Sequence, residues 1–210
     1  WLLGTAQHRA GRFVDAVESL HKALVASADV MERAEIVRLT AVVHDSTWDS
    51  GGEISAAEQG LAELGCRLPS RRSHRAAFRL ALIASLLRST PGTGKADGWK
   101  REKYRLLSNL YRSLSMGYRR EMEPRLSTLF SLREIQYGLK VGTSAETVRA
   151  RARQAVLTRS SGRERWARAF TARALRGADQ LGDQRLRAYV EWTDAMSTLD
   201  RGEDDGSRLR

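Results

Sequence analysis

Apolar residues recur along this chain three and four positions apart, and no segment alternates with the period of a strand. Phe13, Ala16, Val17, Leu20, Ala23 and Leu24 share one helical face and predict a helix over 12–27, paired with a first helix over 1–10. Asp29 and Glu32 have the spacing of a capping pair and predict a third helix over 30–44, with Ala34, Ile36, Val37, Thr40, Ala41 and Val43 as its apolar positions. The stretch 52–64 follows, with Ile54, Ala57, Leu61 and Leu64 inward. Residues 78–87 read as a helix buried on more than one side, and 89–98 as a loop rich in breakers. Further helices are predicted over 99–116, where Tyr104, Leu107, Leu110, Tyr111 and Leu114 form one stripe, and over 124–139, where Pro124 suits the first turn. Thr143 with Glu146 predicts a cap for a helix over 144–157, and helices over 163–181 and 184–199 complete the series.

The glycines between these segments suggest a repeat. Five, nine and twelve positions after Gly11 stand Ala16, Leu20 and Ala23. After Gly52 the same offsets give Ala57, Leu61 and Leu64. After Gly162 they give Ala167, Thr171 and Ala174. A small residue at the first offset lets paired helices approach, and larger ones fill the groove against the neighbour. Gly11 to Gly52 and Gly162 to Gly202 each span about forty residues, in the range of helical-pair repeats. The expected fold class is all-α, an α-solenoid of antiparallel helix pairs. Residues 1–69 form the first pairs, 70–142 an irregular helical middle, and 143–210 renewed pairs with the last repeat truncated. Trp1 reads like the late part of a helix and Gly202 like a turn whose helix is missing, so both ends read as cut.

Composition changes this picture little. Lys and Arg total 36 against 25 acidic residues, a formal charge of +11. The basic residues are spread along the whole chain and nearly all are arginine, lysine standing only at Lys22, Lys95, Lys100, Lys103 and Lys140. That distribution reads as a solvated basic surface rather than a nucleic-acid footprint. The single cysteine, Cys66, cannot form an internal disulfide, which fits a reducing cytoplasm. No apolar run approaches the ~20 residues of a membrane span.

Four signals resemble chemistry and fall short of it. Residues 89–96 resemble a phosphate-binding loop, but Ser89 stands where the motif has glycine and Ala96 where it needs the magnesium-ligating hydroxyl. Residues 135–153 resemble a helix-turn-helix, with Thr147, Val148, Arg149 and Arg151 as a recognition-helix run. There Gly142 and Thr143 lengthen the turn and would alter the angle that sets a helix in the major groove. His8, His21, His44 and His74 lack metal-ligand spacing and read as surface or helix-end residues. Cys66 lacks a nearby base. Trp48, Trp99, Trp166 and Trp192 are expected in core or edge packing. No catalytic, cofactor or metal residue is assigned.

Gly11-Arg12-Phe13 with Ala16, Leu20, Ala23 and Leu24 resembles a tetratricopeptide-type repeat. The run Leu64-Gly65-Cys66-Arg67-Leu68-Pro69, which the other copies lack, is similar to an exit found in the helical-repeat region of large bacterial signalling proteins with a STAND/AAA-type ATPase module. The resemblance implies a regulatory scaffold, without cofactor, whose partners are an attached ATPase, cyclase or kinase domain or a protein held in a concave groove. The alternative is a DNA-binding regulator using 135–153. Glu164 in place of Phe13, and Thr171 in place of a leucine, depart from the repeat pattern.

Overall fold

The structure is a computed structural model that describes residues 1–68 and 96–199. Among these residues it holds nine α-helices and no strand: α1 Leu2–Arg9, α2 Phe13–Ala26, α3 Val30–Ser46, α4 Ser50–Glu63, α5 Gly98–Arg120, α6 Pro124–Gly138, α7 Ala145–Ser160, α8 Glu164–Leu181 and α9 Gln184–Leu199. The helix expected over 78–87, the loop residues 89–95 and the turn at Gly202 lie outside the described residues. Two compact units emerge, one containing α1–α5 with α6 through Tyr137, the other starting at Gly138 and containing α7–α9.

Local chemistry explains where the helices begin. Asp29 accepts the Glu32 amide at 2.8 Å, as the capping spacing predicts. Asp49 accepts the Gly52 amide at 2.9 Å, and Asp183 the Leu186 amide at 3.0 Å. At α7 the cap is Ser144, not Thr143: the extended Ser144 accepts the Thr147 amide at 3.2 Å.

Six helices end alike. After α1, α3, α4, α5, α7 and α8 a left-handed residue donates its amide to the carbonyl three back. The next residue donates to the carbonyl five back, as in the Schellman motif. Four of these residues are glycines, Gly11, Gly65, Gly162 and Gly182, but Trp48 (φ 59°) and Met122 (φ 57°) occupy the other two. The turn at Gly65 is therefore the one the other copies use, and Pro69, which completes the expected exit run, lies outside the described residues. Gly52 is a correction: it lies in the first turn of α4, and the left-handed position belongs to Trp48, four residues earlier. Four residues are close to one helical turn, so counting from either places the offsets on one face. Aligned on Trp48, the fifth position is Glu53, not a small residue.

In the first unit, polar pairs reveal the helix directions. Arg33 near the start of α3 closes on Glu63 at the end of α4, with Nη2 2.6 Å and Nε 3.0 Å from its oxygens. The two helices are antiparallel. Helices two apart run parallel: His8 Nε2 lies 2.9 Å from Ser46 Oγ across α1 and α3, and Arg105 Nη2 lies 3.1 Å from Glu35 Oε2 across α3 and α5. Ala57, Leu61 and Leu64 pack with Leu106, Leu107, Leu110, Tyr111 and Leu114 into the main core, so the tyrosine–leucine stripe of α5 is inward as expected. Helix α5 continues past the expected end at Met116, because Gly117 seats Ile54 of α4 rather than breaking the helix. A Cβ there would stand 2.6 Å from Ile54 Cγ1, and one on Gly60 would stand 2.7 Å from Leu110 Cδ2. Each helix of the pair gives up a side chain to the other.

Helix α6 meets α5 through alternating rings. Tyr104, Tyr111 and Tyr118 are seven apart, as are Phe130 and Tyr137, and ring centroids lie 5.5–6.1 Å apart along Tyr104–Tyr137–Tyr111–Phe130–Tyr118. Buried hydroxyls line the same seam, with Ser115 Oγ 2.6 Å from Ser131 Oγ.

The second unit is three mutually packed helices around Val148, Ala152, Ala174, Ala178, Leu186 and Val190. Gly177 of α8 approaches Val148 of α7 closely, where a Cβ would lie 2.9 Å from Val148 Cγ2.

Two stability outcomes follow from these turns and crossings. Met122 is 84% exposed, so Met122→Gly relieves left-handed strain without losing packing and raises the unfolding free energy by about 0.5–1 kcal/mol in urea titration. Gly60→Ala drives a methyl into Leu110 and lowers it by about 1–3 kcal/mol.

Candidate interaction surface and its charge network

None of the five tryptophans lies in the core. Trp1, Trp48, Trp99, Trp166 and Trp192 are 44, 78, 63, 54 and 62% exposed. Of the core or edge packing expected for Trp48, Trp99, Trp166 and Trp192, the core half is wrong, and Trp48, Trp99 and Trp166 keep contacts at the edge. Helical periodicity gave them no inward position, and each extends from an outer face or a turn. Trp99 lies under Lys103 Nζ at 5.8 Å, and Trp166 keeps its ring centroid 6.4 Å from Phe170. On α9 the residues Ala188, Trp192, Ala195, Met196 and Leu199 are all exposed and share a broad outer face, while Leu186 and Val190 point inward.

Trp48 marks a charge network that the sequence did not announce. Its left-handed backbone ends α3 and starts α4, and its ring carries the Arg120 guanidinium carbon 5.1 Å from the centroid. Arg120, at the end of α5, donates from Nη1 to Glu53 Oε2 at 2.6 Å and from Nη2 to Asp45. Ser50 donates to Glu121, and His44 Nδ1 lies 2.8 Å from Asp49 Oδ2 beside it. Three helices are tied by one guanidinium. Glu53 is 1% exposed. Burial, and then the charge of Asp45, push its pKa from the ordinary 4.5 up to about 7, against the opposing pull of Arg120 and Arg112. The available signal was positional: Glu53 stands on the inward stripe of α4, where every neighbour is small or apolar.

A second buried arginine organises the other unit. Arg159, 3% exposed near the end of α7, lies 3.1 Å from Glu164 of α8 and 2.9 Å from Asp194 of α9, and its Nη1 donates to Ser197 Oγ at 2.5 Å. Thr171 donates to Asp194 at 2.6 Å. Glu164 and Thr171, the two departures from the apolar repeat pattern, thus belong to one cluster and compensate each other around Arg159. Arginine here is partly interior bracing. It is not only the solvated surface that the composition suggested.

The other sequence signals separate. The helix-turn-helix-like run does not present one free face: Thr147 and Val148 are buried, Arg149 lies 4.0 Å from Glu146, and Arg151 is half-buried with Nη1 3.5 Å from the Arg173 carbonyl of α8. Of the phosphate-loop-like stretch, 89–95 lies outside the described residues, as does His74. His8 and His44 sit in the last turns of α1 and α3, and His21 is exposed. Burial pushes the Cys66 thiol pKa up, with Lys103 and Arg133 opposing, so the sulfur stays protonated near neutrality. Among the described residues no three His, Cys, Asp or Glu side chains gather as a metal site.

Comparison with protein-family models, with curated proteins and with solved structures gives no match to this chain.

The Glu53 shift fixes a pH dependence. Between pH 4.5 and about 7 the folded protein holds a proton on Glu53 that the unfolded chain has released. That stabilisation is complete below about 4.5 and is lost as pH rises through 7. Urea midpoints should fall from pH 5 to pH 8 by an amount worth up to about 3 kcal/mol, and Glu53→Gln should flatten the difference. At pH 8 and above, where Glu53 is ionised, Arg120→Ala leaves the buried carboxylate without its brace and costs about 3–5 kcal/mol, part of which returns in the Arg120→Ala/Glu53→Gln double variant.

Proposed function

We propose that this chain is a protein-interaction and regulatory scaffold, an α-solenoid of antiparallel hairpins in the manner of tetratricopeptide repeats, serving a multidomain bacterial signalling ATPase in the cytoplasm. The observation that carries the reading is the exposure of all five tryptophans. Tryptophan is a costly residue to leave in water and among the most enriched at the centres of protein interfaces. The parallel relation of α1, α3 and α5, each bonded to the next but one, supports stacked hairpins. The partner class is protein: an attached ATPase or output domain, or a segment held in the concave groove. Among the described residues no helix is long and apolar enough to cross a membrane. The reading assigns the chain no reaction of its own.

The DNA-binding alternative through 135–153 has less support. Thr147 and Val148 of its recognition run are spent on contacts within the second unit.

The test lies in the parent protein. Trp99→Ala and Trp192→Ala should keep the helical circular dichroism of this chain while changing the ATP hydrolysis rate of the attached module, which this chain alone does not catalyse. An unchanged rate in both variants, or no ATPase module encoded beside the segment, overturns the proposal.

A further inference from the structure

A cavity of about 220 Å³ opens in the second unit between the start of α7 and the C-terminal half of α8. Its floor is apolar, formed by Leu139 and Val148 where Gly177 lacks a side chain. Its walls are Thr143, Ser144, Arg151 and Gln180. Ser144 Oγ accepts the Thr147 amide at 3.2 Å and directs its proton to Thr147 Oγ1 over a long 3.4 Å contact, which a phosphate oxygen can replace with a shorter bond. The Thr147 hydroxyl is spent on backbone, shared between the Gly138 carbonyl at 2.8 Å and the Gly142 carbonyl.

The charges around this cavity are unbalanced in a way found at none of the braces described above. Arg33, Arg105, Arg120 and Arg159 each close on carboxylates. Arg151 instead has one long bond to the Arg173 carbonyl, 3.5 Å. Arg173 and Arg176 stand on α8 one turn before the Gly177–Gln180 wall, and none of the three arginines forms an ion pair among the described residues. Burial and the repulsion of Arg173 and Arg176 both lower the Arg151 pKa, and no carboxylate offsets them. A half-buried guanidinium kept beside two like charges is a destabilising arrangement until an anion joins it.

We propose that this cavity binds a small phosphate monoester, gripped by the Arg151 guanidinium and the Ser144 hydroxyl in the positive field of Arg173 and Arg176. The guanidinium fork suits two phosphate oxygens at once. The volume is below the roughly 300 Å³ at which pockets for larger organic ligands begin, which favours a phosphate with a short tail over a nucleotide. The site is independent of the scaffold reading, since it rests on the second unit alone.

Thermal melts of the full chain, with inorganic phosphate and with glycerol 3-phosphate at constant ionic strength, test it. The wild type should gain melting temperature saturably with either probe. Without ligand, Arg151→Gln should melt higher than the wild type because the repulsion is gone, and it should bind phosphate at least about tenfold more weakly. Gln180→Glu should act in the same direction by supplying the missing carboxylate. An equal gain from chloride, or a phosphate response that survives Arg151→Gln, overturns the proposal. So does displacement of phosphate by duplex DNA at far lower concentration and with steep salt dependence, which would mark a surface for polyanions instead.

Discussion

The reversal at the helix C-terminus is the constraint on which the rest of this structure depends. A residue in the left-handed region satisfies the last carbonyls of its helix and sends the chain back within two or three positions. Where such a turn leads directly into the next helix, as from α1 to α2, α3 to α4, α7 to α8 and α8 to α9, the two helices become antiparallel neighbours within their unit. The close crossings then become necessary. Gly60 against Leu110, and Gly117 against Ile54, let α4 and α5 approach near enough to bury the leucine stripe between them. Where the left-handed residue is not glycine the strain has to be offset. At Trp48 the surrounding structure does so, since Arg120 stacks on the ring and reaches both helices that the turn joins.

Buried arginine is the second organising element. A guanidinium has enough donors to bind carboxylates or carbonyls on two or three helices at once, which an apolar side chain cannot do. Arg33 binds Glu63 together with the Leu24 and Ser27 carbonyls, joining α3 to α4 and to the end of α2. Arg120 and Arg159 do the same for their own three-helix groups. A chain of net charge +11 can therefore use a few of its arginines as internal bracing, and the group at Arg151, Arg173 and Arg176, without an ion pair among the described residues, contrasts with those braces. The exposed tryptophans give the complementary observation: charge is drawn inward at the crossings, and the indole rings are left outside.

Much of the fold was legible in the sequence because it depends on neighbours within a turn or two. Every helix expected within the described residues is present, with ends displaced by a few positions at most apart from α5; of the positions set inward, Ala16, Leu20, Ala57, Leu61, Ala167 and Ala174 are buried, while Phe13, Val17, Ile54, Tyr104 and Thr171 are partly buried. Asp29 caps as its spacing predicts, and Gly11 and Gly162 are left-handed. Periodicity, capping and glycine chemistry act locally, so a linear reading suffices for them. It failed in an instructive way at Gly52, where a shift of one helical turn preserved the face and concealed the true turn residue, Trp48.

The candidate interaction surface and the phosphate cavity were hardly legible at all. Glu53 and Arg120 are sixty-seven positions apart, as Arg159 and Asp194 are thirty-five, and nothing local marks either pair. That Thr171 and Glu164 belong together, or that Arg151 has arginines for neighbours, depends on which helices pack side by side. The sequence by itself determined an all-helical chain, the places where its helices start and stop, and the face each turns inward, since those follow from backbone hydrogen bonding and hydrophobic spacing within a few residues. Only the tertiary structure decided which charges are buried, which are paired and which tryptophans remain in water, because burial and pairing are properties of two elements meeting and not of either one alone.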